Sequence, residues 1–120
     1  MMEKEVYILG IDQGGTKTAA AVMRGDGYIV GSAVAKGAYF PSEGMERALK
    51  PVQEAVEKAV EKASINREDI TLTVAGIGGV DWPGDDMLVK EAVQEKILPG
   101  EMIVCNDVII AFYSGAMRSH

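Results

Sequence analysis

The sequence predicts an α/β fold in which helices pack on a mixed five-stranded sheet, with the element order βββ-α-β-α-β-α. Three observations predict it. Two apolar segments joined by a tight Gly/Asp turn follow the first strand, a long amphipathic segment fills the middle, and shorter strand and helix patterns then alternate. The 120 residues, 48% of them hydrophobic, suffice for one core, so we expect a single domain over residues 1–120.

The first third of the chain predicts an antiparallel meander. An apolar strand runs into the glycine-rich segment 10–18, and a second apolar run follows at residues 19–23. A tight turn at residues 25–27 then leads to a third strand, residues 28–35. The glycine-rich segment therefore joins two strands, whereas a Walker A loop joins a strand to a helix and needs lysine where Thr16 stands.

One amphipathic helix is predicted over residues 42–63. Apolar residues recur there at intervals of three and four, and the charged residues between them are expected to face solvent. Pro51 interrupts this pattern, because proline inside a helix removes one hydrogen bond and clashes with the carbonyl four residues earlier. We therefore expect either a kink or a helix that begins near Lys50.

Strand and helix patterns alternate in the rest of the chain. The predicted elements are a loop at residues 66–69, a strand at 70–77, a helix at 85–98 and a strand at 102–105. Pro99 and Gly100 end the helix. Asn106 and Asp107 are residue types that cap helix N-termini, and the apolar residues after them predict a last helix.

The segment 10–18 has the chemistry of a phosphate-binding turn. Its paired glycines let backbone N–H groups approach an anion without a side chain in the way. Thr16 adds a hydroxyl and Lys17 a positive charge, while Asp12 stands at the end of the preceding strand. We therefore predict that this turn binds phosphate groups.

Composition argues against several classes of partner. The net charge of −6 and the pI near 4.7 would repel nucleic acids and anionic membranes, so neither partner is expected. No apolar run reaches the roughly 20 residues that span a bilayer, and charges at residues 3–5 interrupt any signal peptide. The single cysteine, Cys105, cannot form an intramolecular disulfide, so we expect a cytoplasmic protein.

Three stretches of the chain together resemble a known family. They are residues 10–18, residues 75–84 (Ala-Gly-Ile-Gly-Gly-Val-Asp-Trp-Pro-Gly) and residues 104–113 (Val-Cys-Asn-Asp-Val-Ile-Ile-Ala-Phe-Tyr). In this order they resemble the BadF/BadG/BcrA/BcrD-type ATPases and the N-acetylglucosamine kinases, within the actin, hexokinase and Hsp70 ATPase superfamily. The resemblance implies a ribonuclease H-like (actin-like ATPase) lobe, the N-terminal one in a two-lobe protein of roughly 300 residues.

The resemblance implies ATP and Mg²⁺ as cofactors. Asp12 matches the family's aspartate that holds Mg²⁺ through water, which neutralises charge during phosphoryl transfer. The residues that would face the nucleotide phosphates are Gly14, Gly15, Thr16 and Lys17. The alternative for Asp12 is a carboxylate that merely closes a hairpin.

The resemblance also implies a sugar or amino sugar as the phosphoryl acceptor. Asp81 matches an aspartate beside the sugar hydroxyl in N-acetylglucosamine kinases, and Asp107 matches one that supplies the base in other sugar kinases. The implied substrate-binding residues are Gly79, Asp81, Trp82, Asn106 and Asp107. Which aspartate takes the proton is open, and the alternatives are an acidic loop residue for Asp81 and a helix cap for Asp107.

The implied function is ATP-dependent phosphoryl transfer to a sugar hydroxyl. Tyr39 stands near the place where many relatives carry an asparagine, which puts recognition of an N-acetylhexosamine in doubt. The adenine pocket belongs to a second lobe, so we expect the isolated lobe to be inactive alone and to pair with a C-terminal lobe in a homodimeric protein. Without that lobe, Phe112, Tyr113 and Met117 are expected to be partly exposed.

Two alternative functions stay open. One is an activator ATPase of the 2-hydroxyacyl-CoA dehydratase or benzoyl-CoA reductase type, which shares an iron–sulfur cluster between two subunits. Such a cluster needs about four thiolates, and Cys105 is the only thiol in the sequence. The other is a non-catalytic lobe that senses a nucleotide or a sugar.

Overall fold

A computed structural model describes residues 5–78, 84–97 and 100–105 of the chain. The elements are β1 (Tyr7–Gln13), β2 (Lys17–Arg24), β3 (Ile29–Lys36), α1 (Phe40–Glu43), α2 (Met45–Ala63), β4 (Ile70–Ile77), α3 (Asp85–Lys96) and β5 (Glu101–Cys105). The five strands form one mixed sheet in the spatial order β3-β2-β1-β4-β5. This confirms the predicted α/β class and the mixed five-stranded sheet.

The first three strands form the predicted antiparallel meander. Alternate residues of β1 point to opposite faces, so Leu9, Ile11 and Gln13 are buried while the residues between them are half-buried. β1 pairs with β2 and β2 pairs with β3, both antiparallel. The turn between β2 and β3 uses Gly27 at φ 97°, a conformation that glycine adopts without steric cost.

An ion pair spans the turn between β2 and β3. The Arg24 guanidinium donates hydrogen bonds to both carboxylate oxygens of Asp26, at 2.7 and 3.0 Å, and lies 5.4 Å from the centre of the Tyr28 ring. The hydrogen bond from Arg24 lowers the pKa of Asp26 below its usual value and in turn raises the pKa of Arg24.

Replacing Asp26 by asparagine is expected to change how the stability of the fold depends on pH in the acidic range. A lowered pKa means that the pair stabilises the fold above the usual pKa of aspartate, and that this contribution disappears as pH falls through the lowered pKa. Thermal melts should show a slightly lower Tm for Asp26→Asn at neutral pH, and the two Tm values should converge as pH falls through the lowered pKa of Asp26. Glu54→Gln, at an exposed helical ion pair with Lys58, is the control. Parallel pH curves for Asp26→Asn and the parent chain would contradict this expectation.

The helical segment differs from the prediction. Two helices form, α1 and α2, separated by Gly44 at φ 90°. α2 begins at Met45 and runs through Pro51, so a helix start near Lys50 is wrong. The Pro51 ring is buried with the apolar stripe of α2, and this packing offsets the roughly 3 kcal/mol that an internal proline costs. The kink at Pro51 stays a prediction.

α2 and α3 pack on the same face of the sheet and share one core with it. The buried apolar residues of that core include Leu9 and Ile11 from β1, Val52 and Val56 from α2, and Val89 and Val93 from α3. β3 approaches α2 closely at Gly31, where an added Cβ would lie 2.3 Å from the Ala59 carbonyl oxygen. No side chain fits between these two backbones.

The opposite face of the sheet is apolar and open to solvent at its edges. A concavity of about 270 Å³ lies there across β1, β2 and β3. Val34 is 61% exposed and Ile103, on β5, is 52% exposed. Asp12 lines one end of this concavity, so the open face leads towards the predicted phosphate site.

The second half of the chain follows the prediction with small shifts. β4 covers the predicted residues, α3 ends at Lys96 before the predicted limit, and the predicted loop contains a 3-10 turn at Arg67–Asp69. The helix predicted after Asp107 and the exposure of Phe112, Tyr113 and Met117 lie outside the described residues. No helix in the described part of the chain is long and apolar enough to cross a membrane.

Candidate functional site

Three parallel strand ends lie side by side at one edge of the sheet. β4 runs parallel to both β1 and β5, and Gly76 is the register partner of Asp12 on one side and of Cys105 on the other. The Gly78 N–H donates a hydrogen bond of 2.9 Å to the Gln13 carbonyl oxygen, so the chain leaves β4 beside the end of β1. Polar groups that follow such strand ends meet in one crevice.

The glycine-rich segment forms a tight hairpin loop at this edge. Residues 14–16 connect β1 to β2, and the Gly14 N–H donates to the Lys17 carbonyl oxygen at 2.9 Å. Gly15, Thr16 and Lys17 are exposed, so their polar groups can reach a ligand in solvent. The predicted strand-to-strand connection, unlike that of a Walker A loop, is confirmed.

Asp12 and Lys17 line the same concavity on the open face of the sheet. Asp12 is half-buried and precedes the loop, whereas Lys17 is exposed and follows it. Gly10 and Ser32 also line this concavity, and they add no charge to it. The structure thus brings the predicted metal-side carboxylate and the predicted phosphate-side lysine to one place.

A second segment supports the loop from the side. The Ala38 N–H donates to the Gly14 carbonyl oxygen at 3.1 Å. Gly37 lies so close that an added Cβ would be 2.5 Å from backbone atoms of Gly14 and Gly15. No sequence pattern predicts this contact, because a glycine between a strand and a helix is typical of any loop.

A buried amide supports the loop from beneath. Gln13 is 1% exposed, and its Nε2 donates to the Thr18 Oγ1 at 3.1 Å and to the Ala48 carbonyl oxygen at 2.7 Å. Sequence reasoning did not single out this residue. The alternation of Leu9, Ile11 and Gln13 along β1 is the signal that places it on the buried face.

The other predicted site residues lie outside the described part of the chain. They are Gly79, Asp81, Trp82, Asn106 and Asp107. Their roles in binding or proton transfer therefore stay predictions. The strands that lead to them, β4 and β5, end in the same row as Asp12.

The residues present fit a Mg²⁺ ion that is shared with a nucleotide. Mg²⁺ keeps several waters and is usually bound through one or two carboxylates together with substrate phosphates. Asp12 supplies one carboxylate beside the loop of backbone N–H groups. Within residues 5–78, 84–97 and 100–105, no group of three or more His, Cys, Asp or Glu side chains is placed to hold a metal ion by itself.

The mixed five-stranded sheet with a glycine hairpin after its first strand is the ribonuclease H-like fold that the sequence predicts. Residues 9–120 match the model of the BadF/BadG/BcrA/BcrD ATPase family. The chain belongs to that family.

Two curated relatives and one solved structure are similar to the chain. N-acetyl-D-glucosamine kinase of Dictyostelium discoideum is 34% identical over 95% of the chain and 38% of that protein. N-acetylmuramic acid/N-acetylglucosamine kinase of Clostridium acetobutylicum is 29% identical over 91% of the chain and 36% of that protein. The crystal structure of a putative N-acetylglucosamine kinase from Chromobacterium violaceum superposes with a TM-score of 0.61 at 19% identity, covering 84% of this chain and 35% of that one. The chain thus spans less than two-fifths of each relative's length.

Proposed function

We propose that the chain is the N-terminal lobe of an ATP-dependent sugar kinase and that it binds the nucleotide phosphates and the sugar. The observation that carries this proposal is the position of Asp12, at the end of β1, beside the hairpin loop and in the row of three parallel strand ends. The names of the two curated relatives support a sugar, of the N-acetylglucosamine kind, as acceptor.

The hairpin loop would hold the phosphates of ATP. Gly15 and Thr16 are exposed at its tip and carry backbone N–H groups, while Thr16 and Lys17 supply a hydroxyl and a cation on the solvent side. Asp12 would orient a Mg²⁺ ion through its water shell, and bound Mg²⁺ supplies neutralisation of the charge on the transferring phosphoryl group. Asp12 and Lys17 act from the two ends of one loop, so their spacing depends on the conformation of that loop.

The acceptor hydroxyl would lose its proton to a carboxylate. Asp81 and Asp107 follow β4 and β5, whose ends lie in the same row as Asp12, and we assign the base to one of these two. Gly79, Trp82 and Asn106 are proposed to contact the sugar. The proton then resides on the carboxylate, the sugar oxygen forms its bond to the γ-phosphorus of ATP, and the bond from that phosphorus to the β-phosphate oxygen breaks, so that ADP leaves.

Adenine binding and completion of the cleft are assigned to a second, C-terminal lobe. The length of the relatives supports this assignment, because each extends well beyond the matched part. A homodimer in the cytoplasm is part of the same proposal. We place the kinase ahead of the activator ATPase and the sensor lobe because both curated relatives are named kinases.

Calorimetry tests the proposal. We expect the protein carrying both lobes to bind Mg·ATP, and Asp12→Ala to weaken this affinity by about 10–100-fold, as for other residues that act on a metal through its bound water. Asp26→Ala, at the exposed turn between β2 and β3, is the matched control and should bind as the parent does. Glucosamine-type sugars titrated into the 120-residue chain test the acceptor site.

The outcomes separate the parts of the proposal. Sugar binding to the chain without nucleotide supports an acceptor pocket on this lobe. Equal Mg·ATP affinity for the parent and Asp12→Ala contradicts the role of the hairpin loop. Hydrolysis of ATP without any dependence on sugar would favour the activator ATPase.

A further inference from the structure

Gln13 is a fully buried amide directly beneath the loop that the proposed function assigns to phosphate. It lies between Asp12 and the loop, and its register partner across the hairpin is Thr18. Gln13 and Thr18 form the last pair of the β1–β2 ladder, so whatever holds this pair also holds the two ends of residues 14–17. The amide is therefore placed to fix the width of the loop.

The hydrogen-bonding chemistry fixes the orientation of the amide. The Ala48 carbonyl oxygen can only accept, so the amide nitrogen of Gln13 must face it at 2.7 Å. The same nitrogen donates its second hydrogen to the Thr18 Oγ1 at 3.1 Å. Ala48 lies in the first turn of α2, so a single side chain connects both strands of the hairpin to that helix.

Part of this amide, its acceptor oxygen, costs fold stability. The Gln13 Oε1 is buried and has no hydrogen-bond partner among the described residues. A buried acceptor without a donor costs free energy, and an apolar side chain of similar length would avoid that cost. Both neighbours on the same face of β1, Leu9 and Ile11, are apolar and fully buried.

We infer that Gln13 is a positioning residue for the phosphate loop. By holding Thr18 and Ala48 together, it keeps residues 14–17 and the adjacent Asp12 in one geometry before any nucleotide binds. The consequence of this inference for nucleotide binding rests on the proposed function. The effect on the loop itself can be measured without nucleotide.

Gln13→Met tests the inference, because methionine keeps the length and removes the donors. We expect exchange of the hydrogen-bonded Gly14 amide in this loop to accelerate by about tenfold in the nucleotide-free protein, beyond any change in the rest of the sheet. Mg·ATP affinity of the two-lobe protein should fall by about tenfold. Gln53→Met, on the exposed side of α2, is the matched control and should change neither quantity.

Thr18→Val is the second variant, since it removes one acceptor and keeps the shape. It should accelerate exchange in the same loop, and combining it with Gln13→Met should add little, because both remove the same bond. Unchanged loop exchange in both variants overturns the inference. Equally accelerated amide hydrogen exchange throughout the sheet also overturns the inference, since it shows a general structural role. If the parent protein does not bind Mg·ATP, the proposed function is overturned. The inference about Gln13 is not, because the exchange measurement needs no nucleotide.

Discussion

Replacing Gly31 by alanine is expected to destabilise the chain by about 3 kcal/mol, a large share of a small domain's stability. The added Cβ would lie 2.3 Å from the Ala59 carbonyl oxygen and 2.6 Å from the Ala63 backbone nitrogen. Both contacts are with helix backbone, which cannot swing aside as a flexible side chain would. β3 and α2 must therefore move apart, which opens the core between them. Urea denaturation measures the loss of free energy of unfolding.

Gly10→Ala is the matched control for this experiment. Gly10 is also a strand glycine, but an added Cβ there would lie 3.9 Å from the Ala21 carbonyl oxygen, an ordinary contact. Its effect should stay within about 0.5 kcal/mol. Equal stabilities for Gly31→Ala and Gly10→Ala would show that the close approach of β3 to α2 is not a constraint.

Replacing Gly37 by alanine is expected to weaken Mg·ATP binding by about 100-fold in the two-lobe protein, on the scale of a 1 Å misplacement at an active site. The added Cβ would lie 2.5 Å from backbone atoms of Gly14 and Gly15, so the phosphate loop must shift. The shift also lengthens the hydrogen bond from the Ala38 N–H to the Gly14 carbonyl oxygen. Calorimetry gives the affinity, and hydrogen exchange of the loop amides reports the displacement.

Gly15→Ala separates displacement of the loop from obstruction of the ligand. An added Cβ at Gly15 meets nothing within 4 Å, so the loop should keep its conformation and its exchange rates. Any loss of Mg·ATP affinity in this variant then comes from a methyl group between the backbone and the phosphates. Parent-like nucleotide affinity in Gly37→Ala would contradict the expectation that this glycine supports the loop.

The hairpin loop proposed to bind phosphate is therefore supported by two groups of residues that carry no charge. Gly37 and Ala38 contact it from the segment after β3, and Gln13 holds its two ends from beneath. The charged residues Asp12 and Lys17 stand at its ends, where a nucleotide and its Mg²⁺ would lie. Because these contacts hold the loop in place in advance, its backbone dipoles need little reorganisation when a charged ligand binds.

Local patterns sufficed for the strands and for part of the site. Alternation of apolar residues and a Gly/Asp turn predicted β1, β2 and β3, and the glycine pair after Asp12 predicted the phosphate loop. The helix start was predicted less well. Pro51 argued for a start near Lys50, but α2 begins at Met45 and Pro51 is buried inside it. A propensity argument could not include that packing.

Sequence by itself determined the class of fold, the strand-to-strand hairpin loop and the place of Asp12 at a strand end, because these follow from residue periodicity and turn chemistry over short stretches. Tertiary structure decided what holds the loop. The Gln13 side chain donates a hydrogen bond to the Ala48 carbonyl oxygen, 35 residues further along the chain. Gly37, which follows β3, lies against the backbone of Gly14, which follows β1. Such contacts depend on how distant segments come together in space, and no local pattern in one sequence encodes them.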